Sequence, residues 1–298
     1  MNPAPLVSDI KTFYTTSTRD SNDATNKVRE KVLQNLFSAP TDYLEHPEHG
    51  PSWQKLLQGW RAILEKLATE SGVPAYTTIQ TKAKGGRRFH YDMDVLYYNE
   101  STLVATRHVE FKYGSVDIGG LPQFLSLQAK AGLFSVTYDK FWYDNYLDKY
   151  LACDPAITEP KPTRDDYLKM VTSTKYTIRP FIAQLKDRES HYTLEKHTVV
   201  NTSITDYIIK YGPTLDTTAF EEKVKATQSD KYYILCKDGA FHLDMVTEME
   251  MTGMTCGGIK NGNVQEVKAG GATYCILVRW RNHKGILNPA LQISMRRG

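Results

Sequence analysis

Residues 87–128, RRFHYDMDVLYYNESTLVATRHVEFKYGSVDIGGLPQFLSLQ, decide the fold. They read as two strands and then a helix. The strands cover residues 92–98 and 106–112, with the polar turn Asn99-Glu100-Ser101 between them. Side chains alternate along a strand, so Asp92 and Asp94 share one face, and Glu110 and Lys112 share one face. If the strands pair, two or three carboxylates and one ammonium meet at a single spot. Such a cluster is costly within a sheet unless the charges pair or hold a cation. That cost is the reason to look for chemistry here.

Working outward, residues 1–22 are polar and Ser/Thr-rich and read as an arm or loose lead-in. A helix follows to about residue 37, then a proline-rich loop over residues 38–52. Trp53, Leu56, Leu57, Trp60, Ile63, Leu64 and Leu67 recur three and four apart, which predicts an amphipathic helix over residues 53–69 with Glu65 in its later part. Leu121-Pro122 starts a predicted helix running to about residue 131. The aromatic residues between 132 and 151 read first as core, with a base-stacking surface as the minor alternative. Prolines at 155, 160 and 162 suggest a linker, and residues 198–210 fit strand or helix equally. The end is β-rich: residues 232–236, a Lys237-Asp238-Gly239 turn, then 241–245, 274–280 and 291–295. The organisation expected is an N-terminal arm and helix (1–50), a core (51–152) and a C-terminal α/β region (153–298) that extends the same sheet or forms its own lobe.

Composition narrows the class. The chain has 298 residues, 41% hydrophobic and 24% charged, enough for one large core or two modest ones. No apolar run approaches the roughly 18–20 residues that span a bilayer, and residues 1–11 do not read as a secretion signal. Cys153, Cys236, Cys256 and Cys275 form no CxxC pair, so an intracellular protein with reduced thiols is expected, not secreted and without a membrane partner. A net charge of +3 permits a nucleic-acid partner without demanding one. Its clustering says more. Lys82, Lys84, Arg87, Arg88 and His90 precede the acidic strand, and Arg279, Arg281, His283, Lys284, Arg296 and Arg297 crowd the end. These clusters favour a phosphate-bearing partner over two solvated faces. There is no P-loop, G-x-S-x-G or H-E-x-x-H motif, which argues against the chemistries those motifs serve.

Asp92-Met93-Asp94-Val95 followed by Glu110-Phe111-Lys112 resembles the PD-(D/E)XK nuclease superfamily, and the RW-x-N-x-x-G-I-x-N-P-A-x-Q run from Arg279 is loosely similar to nuclease-like proteins of large DNA viruses and mobile elements. The family pattern is an acid opening one strand, E-x-K on the next, and a helix packed on the sheet. No proline precedes the aspartate here; Tyr91 does. The resemblance covers roughly residues 53–150. It implies an α/β, restriction-endonuclease-like fold, with a mixed central sheet flanked by helices and an additional β-rich C-terminal region. It also implies a metal-dependent DNA endonuclease using Mg²⁺ or Mn²⁺. Asp92 or Asp94, with Glu110, would be the metal ligands, Lys112 the catalytic lysine, Glu65 a helical acid and Gln123 (or Gln128) a supporting glutamine. Lys82, Lys84, Arg87 and Arg88, with Arg279, Arg281, His283 and Lys284, would contact DNA, and a homodimer is open where both strands are cut.

Other readings stand beside this one. E-x-K also occurs at Glu159-Lys161, Glu221-Lys223 and Glu266-Lys268, the last with Asp244-Met245-Val246 upstream as a rival. The charged strands could instead be a structural salt-bridge group, or the fold a nucleic-acid-binding module without turnover.

Overall fold

The alternation at residues 92–98 and 106–112 becomes two paired strands in the computed structural model. It describes residues 10–15, 22–84, 89–173 and 179–298, with only the backbone at 22, 23, 282 and 283. Among these the strands are β1 (Thr78–Ala83), β2 (Met93–Asn99), β3 (Thr102–Tyr113), β4 (Leu125–Gln128), β5 (Lys231–Lys237), β6 (Ala240–Met245), β7 (Thr255–Lys260), β8 (Val264–Ala269), β9 (Ala272–His283) and β10 (Leu287–Arg297). The helices are α1 (Lys11–Tyr14), α2 (Asn22–Ser38), α3 (Thr41–Leu44), α4 (Gly50–Glu70), α5 (Tyr138–Asn145), α6 (Leu147–Ala152), α7 (Arg164–Met170), α8 (Pro180–Asp187), α9 (Leu194–Tyr211) and α10 (Thr217–Gln228). The class is mixed α/β. Two units emerge, Met1–Gly120 with Lys225–Thr247, and Leu121–Val224 with Glu248–Gly298. The division therefore falls after Gly120 rather than near residue 152, and a C-terminal pair of strands returns to the first unit.

The first unit holds a sheet of order β1-β2-β3-β5-β6. Neighbours run antiparallel except β3 and β5, which are parallel. Asp94 lies opposite His108 and Met93 opposite Val109, with a bulge at Tyr97/Tyr98. This register puts Met93, Val95 and Tyr97 of β2 with Val109 and Phe111 of β3 on one face, where all are buried. They join Trp53, Leu56, Leu57, Trp60, Leu64 and Leu67 of α4 in one core. The spacing of those α4 residues is that of a single helix face, and Pro51 at the start costs no hydrogen bond. Each such side chain, fully buried, contributes about 1.5–3 kcal/mol. Tyr97 Oη donates to the Leu64 carbonyl (2.8 Å), so its buried hydroxyl is satisfied. Gly59 lets Phe241 of β6 approach: a Cβ at 59 would sit 3.2 Å from its ring.

The lead-in expected to be loose is docked in its described part. Phe13 is fully buried, and Arg29 of α2, itself buried, donates to the Phe13 carbonyl (2.8 Å) while lying 3.7 Å from the centre of the Tyr113 ring.

The second unit holds an antiparallel sheet of order β4-β10-β9-β8-β7. Residues 121–131, predicted as helix, contain β4 instead. Leu125 and Leu127 alternate with polar residues, and β10 supplies a partner for that period of two, Leu125 facing Ile293 and Leu127 facing Leu291. Residues 198–210 fall within the helix α9. Most of the aromatic residues between 132 and 151 are core: Tyr138 and Trp142 are fully buried, Trp280 Nε1 donates to Tyr138 Oη (3.2 Å), and Tyr207 Oη donates to the Val136 carbonyl (2.7 Å).

Candidate active site

Asp92 stands one residue ahead of β2 and is fixed by its own backbone. Its N–H donates to the Val109 carbonyl (3.0 Å), and its carbonyl accepts from Lys84 N–H (2.7 Å). Its Oδ2 accepts the Phe111 N–H at 2.9 Å. The pairing of β2 with β3 thus delivers the Asp92 carboxylate to Glu110 and Lys112, as the alternation anticipated. Lys112 Nζ lies 2.5 Å from Glu110 Oε1.

A second lysine completes the group. Lys231 opens β5, is 3% exposed, and donates to Glu110 Oε2 (3.1 Å) and to the His90 carbonyl (2.9 Å). The parallel pairing of β5 with β3 sets Lys231 opposite His108 and Tyr233 opposite Glu110. Lys231 Nζ lies 4.9 Å from the centre of the Tyr233 ring, and Tyr233 Oη donates to the buried Gln228 (2.7 Å). Nothing local in the sequence links residue 231 to residue 110. The available signal was a lysine just ahead of the apolar and aromatic run Tyr232-Tyr233-Ile234-Leu235-Cys236.

The charges act on one another. Burial and the neighbouring Glu110 charge raise the Asp92 carboxyl to about 6, against the opposing pull of Lys112 and the Phe111 N–H. Burial also works against the Glu110 carboxylate, but Lys112 and Lys231 outweigh it and hold its pKa below the usual glutamate value. Burial would lower the Lys112 ammonium, yet Glu110 and Asp92 keep it above the usual lysine value. For Lys231 burial prevails over Glu110 and its pKa is lowered.

Asp94 sits in a separate arrangement on the same strand. It is 6% exposed, with Lys84 Nζ at 2.9 Å from Oδ2 and His108 Nδ1 at 2.9 Å from Oδ1. Burial opposes its charge, but the hydrogen bonds from Lys84 and His108 lower its pKa. His108 stacks on Tyr91 with centroids 4.2 Å apart, and its Nε2 lies 3.8 Å from Asp230. Register predicts the Asp94–His108 contact once β2 and β3 are paired; the motif alone did not.

The remaining expected site residues fall as follows. Glu65 is exposed on α4, and its charge bears on Tyr76. The helical acid whose charge bears on Lys112 is Glu30 of α2, half-buried, which the sequence reading passed over. Gln123 is not on a helix. It precedes β4 in the second unit and accepts from Arg279 Nη1 (3.4 Å), because β4 pairs with β10. Gln128 ends β4 opposite Ala290. Lys82 is exposed on β1, and Lys84 is engaged by Asp94. Arg87 and Arg88 lie outside the described residues. Arg279 bonds Gln292 (2.7 Å), Arg281 and Lys284 are exposed, and His283 ends β9, its side chain outside the description. Among the described residues no three His, Cys, Asp or Glu side chains gather as a metal-holding group, and no helix is long and apolar enough to cross a membrane. Asp92 and Glu110 supply two carboxylates.

No family model, curated protein or solved structure matches the chain.

Proposed function

We propose that the protein is a metal-dependent DNA endonuclease of the restriction-endonuclease-like class, hydrolysing phosphodiester bonds at Asp92, Glu110 and Lys112. The observation that carries this reading is the meeting of Asp92 and Glu110, from adjacent strands, with Lys112 on the Glu110 carboxylate. The mixed sheet, three antiparallel strands followed by one parallel to the third, is compatible with the fold the motif implies. Asp92 and Glu110 would hold Mg²⁺ or Mn²⁺. Both are hard oxygen donors, and two carboxylates with water and phosphate are a usual Mg²⁺ donor set. Burial and, after it, the Glu110 charge raise Asp92, and a divalent cation would offset both. When bound, the ion would polarise a phosphate and acidify a water.

The chain's own groups have distinct tasks. The Phe111 N–H and the backbone bonds at Asp92 fix that carboxylate before any ligand arrives. Lys112 orients Glu110 and offsets charge that builds on the phosphate oxygens. The Glu110 charge bears on Asp92, whereas Asp94 is engaged by Lys84 and His108, which favours Asp92 as the ligand beside Glu110 and leaves Asp94 to brace the strand. Lys82, with Arg87 and Arg88, would meet the DNA backbone and fix register without reading sequence, and Arg281 and Lys284 would add a second such contact. Cutting both strands would use a second copy of the chain, acting on DNA inside the cell.

One observation favours a second reading. Each oxygen of Glu110 already has a lysine, so the group is close to neutral by itself. A nucleic-acid-binding module without turnover, in which these charges are structural, would have the same arrangement.

The two separate on supercoiled plasmid incubated in EDTA, Mg²⁺ or Mn²⁺. The endonuclease reading expects nicking or linearisation in metal alone, lost in Glu110→Gln and Lys112→Gln. No cutting in any metal, with salt-dependent DNA binding retained, sinks it in favour of the binding module.

A further inference from the structure

Lys231 is the group that a nuclease reading of Asp92, Glu110 and Lys112 leaves unused. Its ammonium is 3% exposed, and water therefore does little to stabilise its charge. What it has instead is Glu110 Oε2 at 3.1 Å and the His90 carbonyl at 2.9 Å. His90 is two residues before Asp92, so one ammonium ties the Glu110 side chain to the segment that delivers Asp92. With Lys112 it gives the site two positive charges against two negative ones. A single lysine on Glu110 would leave the carboxylate pair with net negative charge, which a cation would fill.

We propose that Lys231 is the site's built-in counter-ion, holding Glu110 and the Asp92 segment together in the absence of metal and thereby setting how weakly the site takes a divalent cation. The inference rests on the metal-site reading of Asp92 and Glu110. Lys231 is a positioning residue, acting through Glu110. The physical reason is competition for the same carboxylate: a buried ammonium and a divalent ion repel each other strongly at short range where water is scarce. An ammonium on Glu110 lowers the charge available to the ion, and the ion must displace or tolerate it.

The test is direct titration with Mn²⁺, read by electron paramagnetic resonance and by the shift in thermal midpoint, with no DNA present. Wild type, Lys231→Met, Lys231→Arg and Asp92→Asn would be compared. The expected result has two parts. Lys231→Met lowers the melting midpoint in EDTA and tightens Mn²⁺ at least about tenfold, equivalent to about 1.4 kcal/mol. Lys231→Arg, which keeps the charge, stays near wild-type affinity. Should Lys231→Met fail to fold, Lys231→Gln retains a donor for the His90 carbonyl and carries the same expectation. Equal or weaker Mn²⁺ binding in the neutral variants, with binding abolished by Asp92→Asn, overturns the inference and leaves the metal site standing. Absence of Mn²⁺ binding in wild type and neutral variants alike overturns both.

Discussion

Glu110-Phe111-Lys112 on β3 and Glu266-Val267-Lys268 on β8 share a spacing, and in each the acid and the lysine lie on one face of a strand. Their surroundings differ in kind. Glu110 has a lysine on each oxygen, one of them buried, and Asp92 close enough for its own pKa to respond. Glu266 pairs with Arg296, whose side chain is 44% exposed, and Lys268 is exposed. The rival's upstream aspartate, Asp244, lies on β6 of the other sheet. The tripeptide is therefore not the informative unit. What distinguishes the two is whether a neighbouring strand brings a second carboxylate and whether water is kept from the group.

The largest expected effect is on cleavage. Glu110→Gln and Lys112→Gln should each lower metal-dependent plasmid nicking on the order of a hundredfold or more, the scale of losing one group that stabilises transition-state charge. Glu266→Gln and Lys268→Gln should leave it unchanged. A comparable loss in the β8 variants would erase the comparison.

Stability should divide the tripeptides next. Glu110→Ala removes the carboxylate that pairs with the buried Lys231, a loss of about 3–5 kcal/mol in urea unfolding. Glu266→Ala breaks a partly exposed pair and should cost about 1 kcal/mol or less. Equal losses would mean that the Lys231 contact does not matter to the fold.

A third effect follows from pH. The folded Asp92 pKa, about 6, stands above its unfolded value near 3.8. The folded state then binds more protons in that interval, so its stability is greatest below it and falls as pH rises from about 4 to about 6, by up to about 3 kcal/mol. Unfolding curves in EDTA should show this fall, and Asp92→Asn should flatten it and melt higher than wild type at pH 8. A wild type that gains stability over this range would place Asp92 in a different balance. Asp94 acts in the opposite sense: its lowered pKa contributes stability above its unfolded value, lost as pH falls below about 4. Asp94→Asn should therefore soften acid unfolding.

Much of the first unit was legible because its signals are local. Alternation at residues 92–98 and 106–112, one short turn apart, gives the antiparallel pair, its buried face and the meeting of Asp92 with Glu110. The three-and-four spacing from Trp53 gives α4 and its core face. Misreadings came where a partner distant in sequence decides. Leu125-Ser126-Leu127-Gln128 fits the start of a helix after Pro122 until β10 offers an edge to pair with, and Gln123 changes role with it. Glu65 lies in the helix nearest the motif in sequence, yet the helical acid whose charge bears on Lys112, after Glu110 and Asp92, is Glu30.

The sequence by itself determined the class of the chain, the two acidic strands and which of their residues share a face, since those follow from a repeat of two along neighbouring segments. Tertiary structure decided the charge state of the site. Lys231 reaches Glu110 across 121 positions only because β5 pairs in parallel with β3. Parallel strands need a crossover whose length no local pattern fixes, and the register they take sets which charges meet out of water, where a carboxylate and an ammonium matter most.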